Sequence, residues 1–397
     1  MAINKFTNDI SIIGGFGHVG LPLGIMLASK NLKVSLNDIN KDSFDIISKA
    51  KMPFIEYGAQ PILKKVINNK KLSLTLDINK IRESQFIIIA IGTPIDEYMS
   101  PKFDNFLNFI LSIKNILVPN QIIIIRSSVY PEVYSKVKKI LPNFLKKNLL
   151  YCPERIQQGY AIQELKKLPQ IVSGENKNTI ELGSKLFKKI SKKIIVTSVK
   201  EAELVKLFSN SYRYVQFALA NQFYMMCEKS GVSYDNVRKF MTDSYSRATG
   251  LPSAGFAAGP CLLKDTMQLS SFYNSSFSIG QMAMTVNEGL PSFIVDQLSL
   301  KYKLNNLKVG VLGMSFKANV DDKRDSLSFK LCKLLKFEGA NVIMSDEHMI
   351  NNNFKSAKET IDKSKIIIIG CPHKAYKKIK ISKNKILIDP WNFVNKV

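Results

Sequence analysis

The stretch Asp9–Ser29 reads D-I-S-I-I-G-G-F-G-H-V-G-L-P-L-G-I-M-L-A-S, and it decides the fold of the first part of the chain. Residues 9–13 are typical of a short buried strand, and an apolar helix follows the glycines. Between them, G-x-G-x-x-G lies where the strand turns into the helix. Such glycines permit a tight turn and the close approach of a pyrophosphate to the N-terminus of the helix.

A second predicted strand, residues 33–36, ends at Asn37 and Asp38. A carboxylate at this distance from the glycine turn is typical of a residue that binds the ribose of a dinucleotide. Its negative charge would repel the additional phosphate of NADP, so the sequence predicts NAD as the cofactor. The predicted NAD contacts in this segment are Gly15, Phe16, Gly17, His18, Val19, Gly20 and Asp38.

Three further apolar segments, residues 86–91, 121–125 and 149–151, predict buried parallel strands. Ligands of open parallel sheets bind at the carboxyl ends of the strands. Thr93 and Ser128 follow two of these strands, so both are predicted to contact the cofactor. Helix N-capping is the alternative role of such residues, and the sequence leaves it open.

A second α/β unit is predicted from residue 301 onwards. Its first strand, residues 308–312, is followed by a loop that carries Lys317 and Arg324. The G-x-G-x-x-G turn is missing there, so the two cations favour binding of a nucleotide rather than of a second dinucleotide. The predicted fold class is α/β, with two Rossmann-like parallel-sheet domains joined by a central long-helix domain.

Residues 200–229 predict one long, mostly apolar helix. Lys206, Asn210 and Asn221 fall roughly on one of its faces, together with Arg213. This polar face either lines an active site or is the solvated side of the helix. Apolar residues on more than one side of the helix also predict a homodimer interface.

The segment Arg247–Thr266 reads R-A-T-G-L-P-S-A-G-F-A-A-G-P-C-L-L-K-D-T and combines small residues with one cysteine. Small residues let a ligand approach the backbone closely. Cys261, followed by Lys264 and Asp265, has the surroundings of a nucleophile whose thiolate is stabilised by local charge. The alternative is a buried Cys261 that packs as a small apolar side chain.

Composition restricts the classes of function. The net charge is +25, yet the lysines are spread along all 397 residues, so nucleic acid binding is not predicted. A basic surface would instead attract a polyanionic small ligand. Five scattered cysteines and three histidines predict neither a disulfide framework nor a metal site. The absence of a signal peptide and of a long apolar run predicts a cytoplasmic protein without membrane insertion.

The order of motifs along nearly the whole chain resembles the UDP-glucose/GDP-mannose dehydrogenase family, whose members oxidise C6 of a nucleotide sugar to a carboxylate. The motifs are G-F-G-H-V-G (15–20), G-T-P-I-D (92–96), S-S-V-Y-P (127–131), P-E-R (153–155), E-A-E-L-V-K-L-F-S-N (201–210), C-L-L-K-D (261–265) and V-L-G-M-S-F-K…D-D-K-R (311–324). The resemblance implies an NAD-binding Rossmann domain (1–199), a central helical domain for dimerisation and the catalytic cysteine (200–300), and a C-terminal UDP-sugar-binding Rossmann-like domain (301–397).

The resemblance also implies roles for individual residues. Cys261 would be the nucleophile of a four-electron oxidation through a thiohemiacetal and a thioester, and Lys206 would stabilise the oxyanions. Asp265 and Glu154 would position or deprotonate the hydrolytic water. Arg247 would reach the substrate of a neighbouring subunit, which would make the dimer necessary for activity. The implied catalytic residues are Cys261, Lys206, Asp265, Glu154 and Asn210; further cofactor contacts are Thr93, Ser128, Lys264 and Arg324; substrate contacts are Arg155, Asn210, Arg247, Gly255, Phe256 and Lys317.

Three departures from the family pattern bear on the substrate. Ala258-Gly259-Pro260 stands where the family commonly has Gly-Gly-His or Gly-Gly-Tyr, Leu263 replaces a proline, and Gln158 replaces the second acid of P-E-F-L-R-E. P-E-R resembles members that act on N-acetylhexosamines, whereas Lys264-Asp265 resembles the glucose enzymes.

The predicted function is therefore oxidation of a UDP-N-acetylhexosamine or UDP-glucose for surface polysaccharide synthesis. Three alternatives stay open. They are a GDP-mannose 6-dehydrogenase, a two-electron dehydrogenase of the 6-phosphogluconate type, and an inactive relative that binds a nucleotide sugar.

Overall fold

The computed structural model describes residues 6–93, 96 and 102–394 of the chain. The chain divides into two compact units, residues 1–208 and residues 209–397. The division falls inside the long helix predicted for residues 200–229. The three predicted domains therefore do not coincide with these two units, and their borders stay a prediction.

The described part of the first unit forms one sheet of eight strands. They are β1 (Asn8–Ile13), β2 (Val34–Asn37), β3 (Leu72–Thr75), β4 (Ser84–Ile89), β5 (Ile122–Ile125), β6 (Leu149–Tyr151), β7 (Gln170–Gly174) and β8 (Ile194–Thr197). Their order is β3-β2-β1-β4-β5-β6-β7-β8. All neighbours run parallel except β6 and β7, which pair antiparallel. The isoleucines of β4 and β5 are almost completely buried, as expected for parallel strands covered on both faces.

Helices of the first unit connect these strands. They are α1 (Gly20–Ala28), α2 (Lys41–Ser48), α3 (Ala59–Asn68), α4 (Phe103–Ile113), α5 (Val133–Ile140), α6 (Ala161–Lys167) and α7 (Lys177–Lys188), with short 3-10 helices at Ile78–Glu83 and Asn143–Asn148. All nine residues of α1 are buried, because α1 packs on the sheet directly after the glycine turn. Asn40 and Asn176 cap α2 and α7 by accepting hydrogen bonds from backbone N–H groups one turn later.

The long helix α8 (Val199–Lys229) has nearly the predicted bounds. Its polar face is not uniform. Lys206, Asn210 and Asn221 are buried, with exposed fractions of 7%, 9% and 1%, whereas Arg213 is exposed. The solvated-surface interpretation is therefore wrong for the three buried residues and correct for Arg213.

The second unit contains the four-stranded sheet β10-β9-β11-β12, which is parallel throughout. Its strands are β9 (Lys308–Leu312), β10 (Asn341–Ser345), β11 (Ile366–Ile369) and β12 (Ile386–Ile388). Its helices are α9 (Tyr234–Thr242), α10 (Leu262–Phe272), α11 (Ser278–Ser299), α12 (Leu327–Phe337) and α13 (Ala357–Lys363), with a 3-10 helix at Lys374–Lys378. The predicted fold class, two Rossmann-like sheets with a long central helix, is confirmed.

Across the described residues, the helices lack the combination of length and apolar character that crossing a bilayer requires.

Candidate active site

The glycine turn between β1 and α1 has the geometry of a dinucleotide site. A Cβ on Gly20 would lie 2.2 Å from the carbonyl oxygen of Gly14, so α1 begins directly on the turn. The backbone N–H of Gly15 donates to Asn37 O at 3.0 Å, and the N–H of Phe16 donates to Asp38 Oδ2 at 3.0 Å. A helix N-terminus in this setting offers backbone N–H groups and a positive dipole end to a pyrophosphate. The predicted residues therefore fit NAD.

His18, in the glycine turn, contacts two other segments of the first unit through Phe54 and Gln158. Its ring stacks on Phe54 with 3.9 Å between the ring centroids. Gln158 Nε2 lies 3.4 Å from His18 Nε2, so the residue that replaces the family's second acid lies beside the glycine turn. Gly17 is exposed and Val19 is half-buried in the same turn.

The strand ends beyond β4 and β5 also meet, as predicted. The hydroxyl of Thr93 donates to the carbonyl oxygen of Ser128 at 2.5 Å, and the hydroxyl of Ser127 donates to Ile91 O at 2.7 Å. Ser128 is not the N-cap of the next helix, because that position of α5 is Glu132. Pro94 and Ile95 of the G-T-P-I-D motif lie outside the described residues.

Glu154, a predicted catalytic acid, lies in a buried ion pair with Arg126. Glu154 is 5% exposed and Arg126 only 1%. The Arg126 guanidinium also donates to Gln170 Oε1 at 2.7 Å and to Cys152 O at 2.9 Å. Glu154 Oε1 accepts the backbone N–H groups of Arg155, at 2.7 Å, and of Ile156, at 3.0 Å. Arg126 thus joins the ends of β5, β6 and β7, a role that its position after a strand did not reveal.

Arg155, a predicted substrate contact, is tied to its own unit. Its Nη2 donates to the carbonyl oxygen of Pro169 at 2.7 Å. Burial lowers the pKa of Arg155, the Glu154 charge raises it, and the nearby Arg126 charge lowers it further. Arg155 therefore helps to fix the P-E-R segment, and its contact with substrate stays a prediction.

In the second unit, Cys261 stands at the N-cap of α10 and is exposed. The buried, apolar alternative for this cysteine is therefore wrong. Asp265, one helical turn later, is fully buried. Its Oδ2 accepts a hydrogen bond from Asn210 Nδ2 at 2.6 Å, and its Oδ1 lies 3.0 Å from Lys264 Nζ. The structure thus brings Asn210 of α8 together with Lys264 and Asp265, two predicted site residues in the first turn of α10.

The small-residue loop before Cys261 is held by side-chain amides. The N–H of Gly255 donates to Asn221 Oδ1 at 2.9 Å, and Asn221 Nδ2 donates to Gly255 O at 3.0 Å. Asn221 Nδ2 also donates to Asn287 Oδ1 at 2.9 Å. Phe256 is buried and lies edge-on to Trp391, with 6.5 Å between the ring centroids. Asn221 and Asn287 therefore act on the loop, a role that the helix periodicity of the sequence did not predict.

Lys317 and Arg324 lie on the loop after β9. The Arg324 guanidinium donates to Asp322 through Nε and through Nη2, at 2.9 and 2.6 Å. The Phe316 ring packs against Gly259, where a Cβ would lie 2.3 Å from a ring carbon. This loop therefore touches the segment that leads to Cys261.

Arg247 is exposed, and its guanidinium lies over the Tyr245 ring at 5.0 Å from the centroid. It is available at the surface for contact with another molecule. Among the residues that the structure describes, no group of three or more His, Cys, Asp or Glu side chains is arranged to hold a metal ion.

These features define a dinucleotide-dependent dehydrogenase with a cysteine at the start of a helix. Sequence models of the UDP-glucose/GDP-mannose dehydrogenase family match the chain with the NAD binding domain at residues 8–191, the central domain at 200–289 and the UDP binding domain at 310–396. The chain belongs to this family. It is accordingly an NAD-dependent oxidoreductase that acts on a UDP-sugar.

The chain is also similar to individual dehydrogenases of this family. The chain is 29% identical to the UDP-N-acetyl-D-mannosamine dehydrogenase of Methanococcus maripaludis, over 96% of this chain and 92% of the relative. It is 26% identical to the enzyme of the same name from Campylobacter jejuni, over 97% and 99%. The solved UDP-D-ManNAc dehydrogenase of Pyrococcus horikoshii superposes with a TM-score of 0.89 at 25% identity, over 98% of this chain and 96% of that one.

Proposed function

We propose that this chain oxidises C6 of a UDP-N-acetylhexosamine to the uronic acid in two two-electron steps, and that UDP-N-acetyl-D-mannosamine is its substrate. Relatives of that name, which align over nearly the whole chain, support the sugar. The P-E-R segment at residues 153–155 also favours an N-acetylhexosamine. UDP-glucose is the second candidate, because Lys264-Asp265 resembles the glucose enzymes.

The observation that carries the four-electron chemistry is the position of Cys261. It is exposed at the start of α10, one turn before the buried carboxylate of Asp265. A two-electron dehydrogenase needs no nucleophile, whereas a four-electron one uses a thiolate to hold the intermediate aldehyde.

In this proposal the cofactor is held by residues 15–20 and Asp38 and by Thr93 and Ser128 at the strand ends. Lys264 and Arg324 are its further contacts. NAD, when bound, supplies the acceptor for the hydrides that leave C6. The cradle made by Gly14, Gly20 and the start of α1 supports this assignment.

Residues of the chain carry out the remaining steps of the proposed reaction. Cys261 Sγ adds to the C6 aldehyde, and the resulting thiohemiacetal loses a second hydride to become a thioester. Lys206 stabilises the oxyanions, and water cleaves the thioester to release the carboxylate and the thiol. Asp265 takes up a proton from that water, Glu154 helps to position or deprotonate the water, and Asn210 orients Asp265. Arg155, Gly255, Phe256 and Lys317 contact the substrate.

We also propose that the active form is a homodimer in which Arg247 contacts the neighbouring subunit's substrate. Helix α8 leaves apolar side chains exposed at intervals of three, four and seven residues, which places them along one side of the helix. The exposed fractions are 37% for Val205, 49% for Phe208, 66% for Tyr212, 48% for Leu219 and 55% for Met226. An apolar stripe of this length is typical of a surface that a partner covers.

A cytoplasmic location and a role in surface polysaccharide synthesis complete the proposal. An exposed nucleophilic thiol requires a reducing compartment, since oxidation would remove it. A uronic acid linked to UDP is a glycosyl donor for a polysaccharide.

The test is the amount of NADH formed per sugar consumed by purified protein. The panel contains UDP-N-acetylmannosamine, UDP-N-acetylglucosamine, UDP-N-acetylgalactosamine, UDP-glucose and GDP-mannose. We expect two NADH per UDP-N-acetylmannosamine and no carboxylate product from Cys261→Ser. One NADH per sugar would contradict the thioester mechanism. Tight binding without turnover would support the inactive relative instead.

A further inference from the structure

The loop that carries Arg324 lies directly against the segment that ends in Cys261. The N–H of Gly259 donates to the carbonyl oxygen of Asp325 at 3.4 Å. Two residues before Cys261, the chain is thus hydrogen-bonded to the residue after Arg324. The Phe316 ring packs on Gly259, so the loop after β9 contacts the Cys261 segment through a side chain as well.

The Arg324 guanidinium has a fixed orientation in this loop. Asp322 accepts its Nε and Nη2 donors, and the N–H of Arg324 also donates to Asp322 Oδ1 at 2.9 Å. Asp322 is 7% exposed, so its carboxylate is a rigid anchor. A planar guanidinium held on one edge presents its remaining N–H donors in a fixed direction at little further cost in side-chain entropy.

Cys261 and Arg324 interact electrostatically. Burial lowers the pKa of Arg324, but its bonds to Asp322 and the nearby negative charges, which include the Cys261 thiolate, raise it overall. Cys261 also lies at the N-terminus of α10, where the helix dipole favours a thiolate.

Lys264, the cation that follows Cys261 in sequence, has a different partner. Its Nζ lies 3.0 Å from Asp265 Oδ1, and its side chain is only 14% exposed. The Asp265 carboxylate is fully buried, and Lys264 is the cation that lies against its Oδ1, while Asn210 donates to its Oδ2. The positive charge of Lys264 therefore neutralises the Asp265 carboxylate, and this ion pair presents little net charge to the Cys261 thiol.

We propose that Arg324 is the counter-ion that stabilises the Cys261 thiolate, and that Lys264 instead neutralises Asp265. The proposal rests on the proposed function of Cys261 as a nucleophile. The charged groups on the two elements that meet near Cys261 include Arg324, Asp322 and Asp325 from the loop after β9 and Lys264 and Asp265 from α10. In the covalent step, Sγ gives an electron pair to the aldehyde carbon and the carbonyl oxygen becomes the alkoxide.

The test is the pH dependence of iodoacetamide alkylation in the protein without substrate or NAD. Burial raises the pKa of Cys152, Cys332 and Cys371 to about 12, and Cys227 is also buried, so the single fast adduct reports on Cys261. Intact mass counts the adducts, and Cys261→Ser should remove the fast one.

We expect Arg324→Met to move the midpoint of the alkylation profile up by about one pH unit, because an opposite charge at this range shifts a pKa by roughly that amount. Arg324→Lys should keep most of the wild-type profile. Lys264→Met with Asp265→Asn is the matched control, since it removes the neighbouring ion pair without leaving an unpaired buried carboxylate, and it should leave the midpoint in place. Arg324→Met with Asp322→Asn removes both charges and avoids a buried unpaired carboxylate, and it should show the same upward shift.

A shift in the Lys264→Met, Asp265→Asn double variant without one in Arg324→Met would overturn the proposal, as would equal shifts in both or none in either. The alkylation readout is independent of turnover. If no sugar is oxidised but the Arg324 variants shift the profile, the proposed function fails while the thiolate assignment stands.

Discussion

Arg126 is a buried positive charge, and leaving a buried charge without its partner costs free energy. It is 1% exposed and pairs with Glu154, which is 5% exposed. Removing one partner of a buried ion pair leaves the other charge unsolvated, which costs about 3–5 kcal/mol. We expect Arg126→Met to lower the free energy of unfolding by about that amount, measured by urea denaturation followed by circular dichroism.

The double variant Arg126→Met with Glu154→Gln is the matched control. It removes both charges, so most of the lost stability should return. If the double variant is as unstable as the single one, the loss comes from the other contacts of Arg126, which are its hydrogen bonds to Gln170 and Cys152 and its packing over the Phe187 ring. Activity should stay low in the double variant if Glu154 positions the hydrolytic water.

At the residue scale, the sequence predicted the site residues that belong to a recognisable local pattern. The glycine turn, Asp38 and Cys261 were found in this way, and the exposure of Cys261 bears out its interpretation as something other than a core residue. The contacts of Arg126, Asn221 and Asn287 were not predicted, because their partners lie 28, 34 and 66 residues away in the sequence. A contact over such a distance leaves no local pattern in one sequence.

At the scale of the elements, the two Rossmann-like sheets share one feature. In each, an aspartate after the second strand in chain order accepts backbone N–H groups of the turn after the first strand. Asp38, after β2, accepts the N–H of Phe16 in the turn after β1. Asp346, after β10, accepts the N–H groups of Met314 and Ser315 in the turn after β9, at 2.6 and 3.0 Å. One carboxylate thus sets the shape of each turn, although the second turn has no G-x-G-x-x-G sequence.

The carboxylate of Asp346 should make the second unit sensitive to acid. Burial raises its pKa, but the His373 hydrogen bond and charge and two backbone N–H groups lower it to about 2, from a usual 3.8. Because the folded pKa is depressed, its stabilising contribution is present above about pH 4 and disappears as the pH falls towards 2. Integrated over this shift, the contribution is about 2 kcal/mol at neutral pH.

Comparison of Asp346→Asn with the wild type by urea denaturation at several pH values tests this. The stability difference should be about 2 kcal/mol larger at neutral pH than near pH 2. Asp362→Asn, on an exposed carboxylate of α13, is the control and should show no such trend. A pH-independent difference for Asp346→Asn would mean that only the geometry of its hydrogen bonds matters.

The elements themselves were predicted unevenly. The Ile-rich strands β4 and β5 were predicted because parallel strands buried on both faces have continuous apolar sequences. β7 and β8 did not, since β7 mixes polar and apolar residues and β8 is a partly exposed edge strand. The antiparallel pairing of β6 and β7 depends on where the chain turns back through α6, which no local pattern specifies.

At the scale of the whole molecule, the proposed dimer has a consequence for catalysis. Arg247 is exposed and lies 14 residues before Cys261 on the same chain. The proposal assigns Arg247 to the neighbouring subunit's substrate, so each active site would combine Cys261 from one subunit with Arg247 from the other. In a two-fold symmetric dimer both sites are built in this way.

Mixing two inactive variants tests this arrangement. We expect Arg247→Ala and Cys261→Ser each to abolish turnover as homodimers. In the mixed dimer, the subunit that retains Cys261 receives an intact Arg247 from its partner, so one site is complete. Random reassociation of equal amounts should restore roughly a quarter of wild-type activity, since half of the dimers are mixed and each has one working site.

The control for the mixing experiment is a change on the α8 stripe itself. Leu219→Glu should give a monomer by light scattering and should lose activity. Leu300→Glu, at an even more exposed apolar residue after α11, should do neither. Adding Leu219→Glu to both mixed variants should then prevent any recovery. Recovery without dimers, or an active Arg247→Ala homodimer, would contradict the shared site, because either result would mean that one chain completes its active site alone.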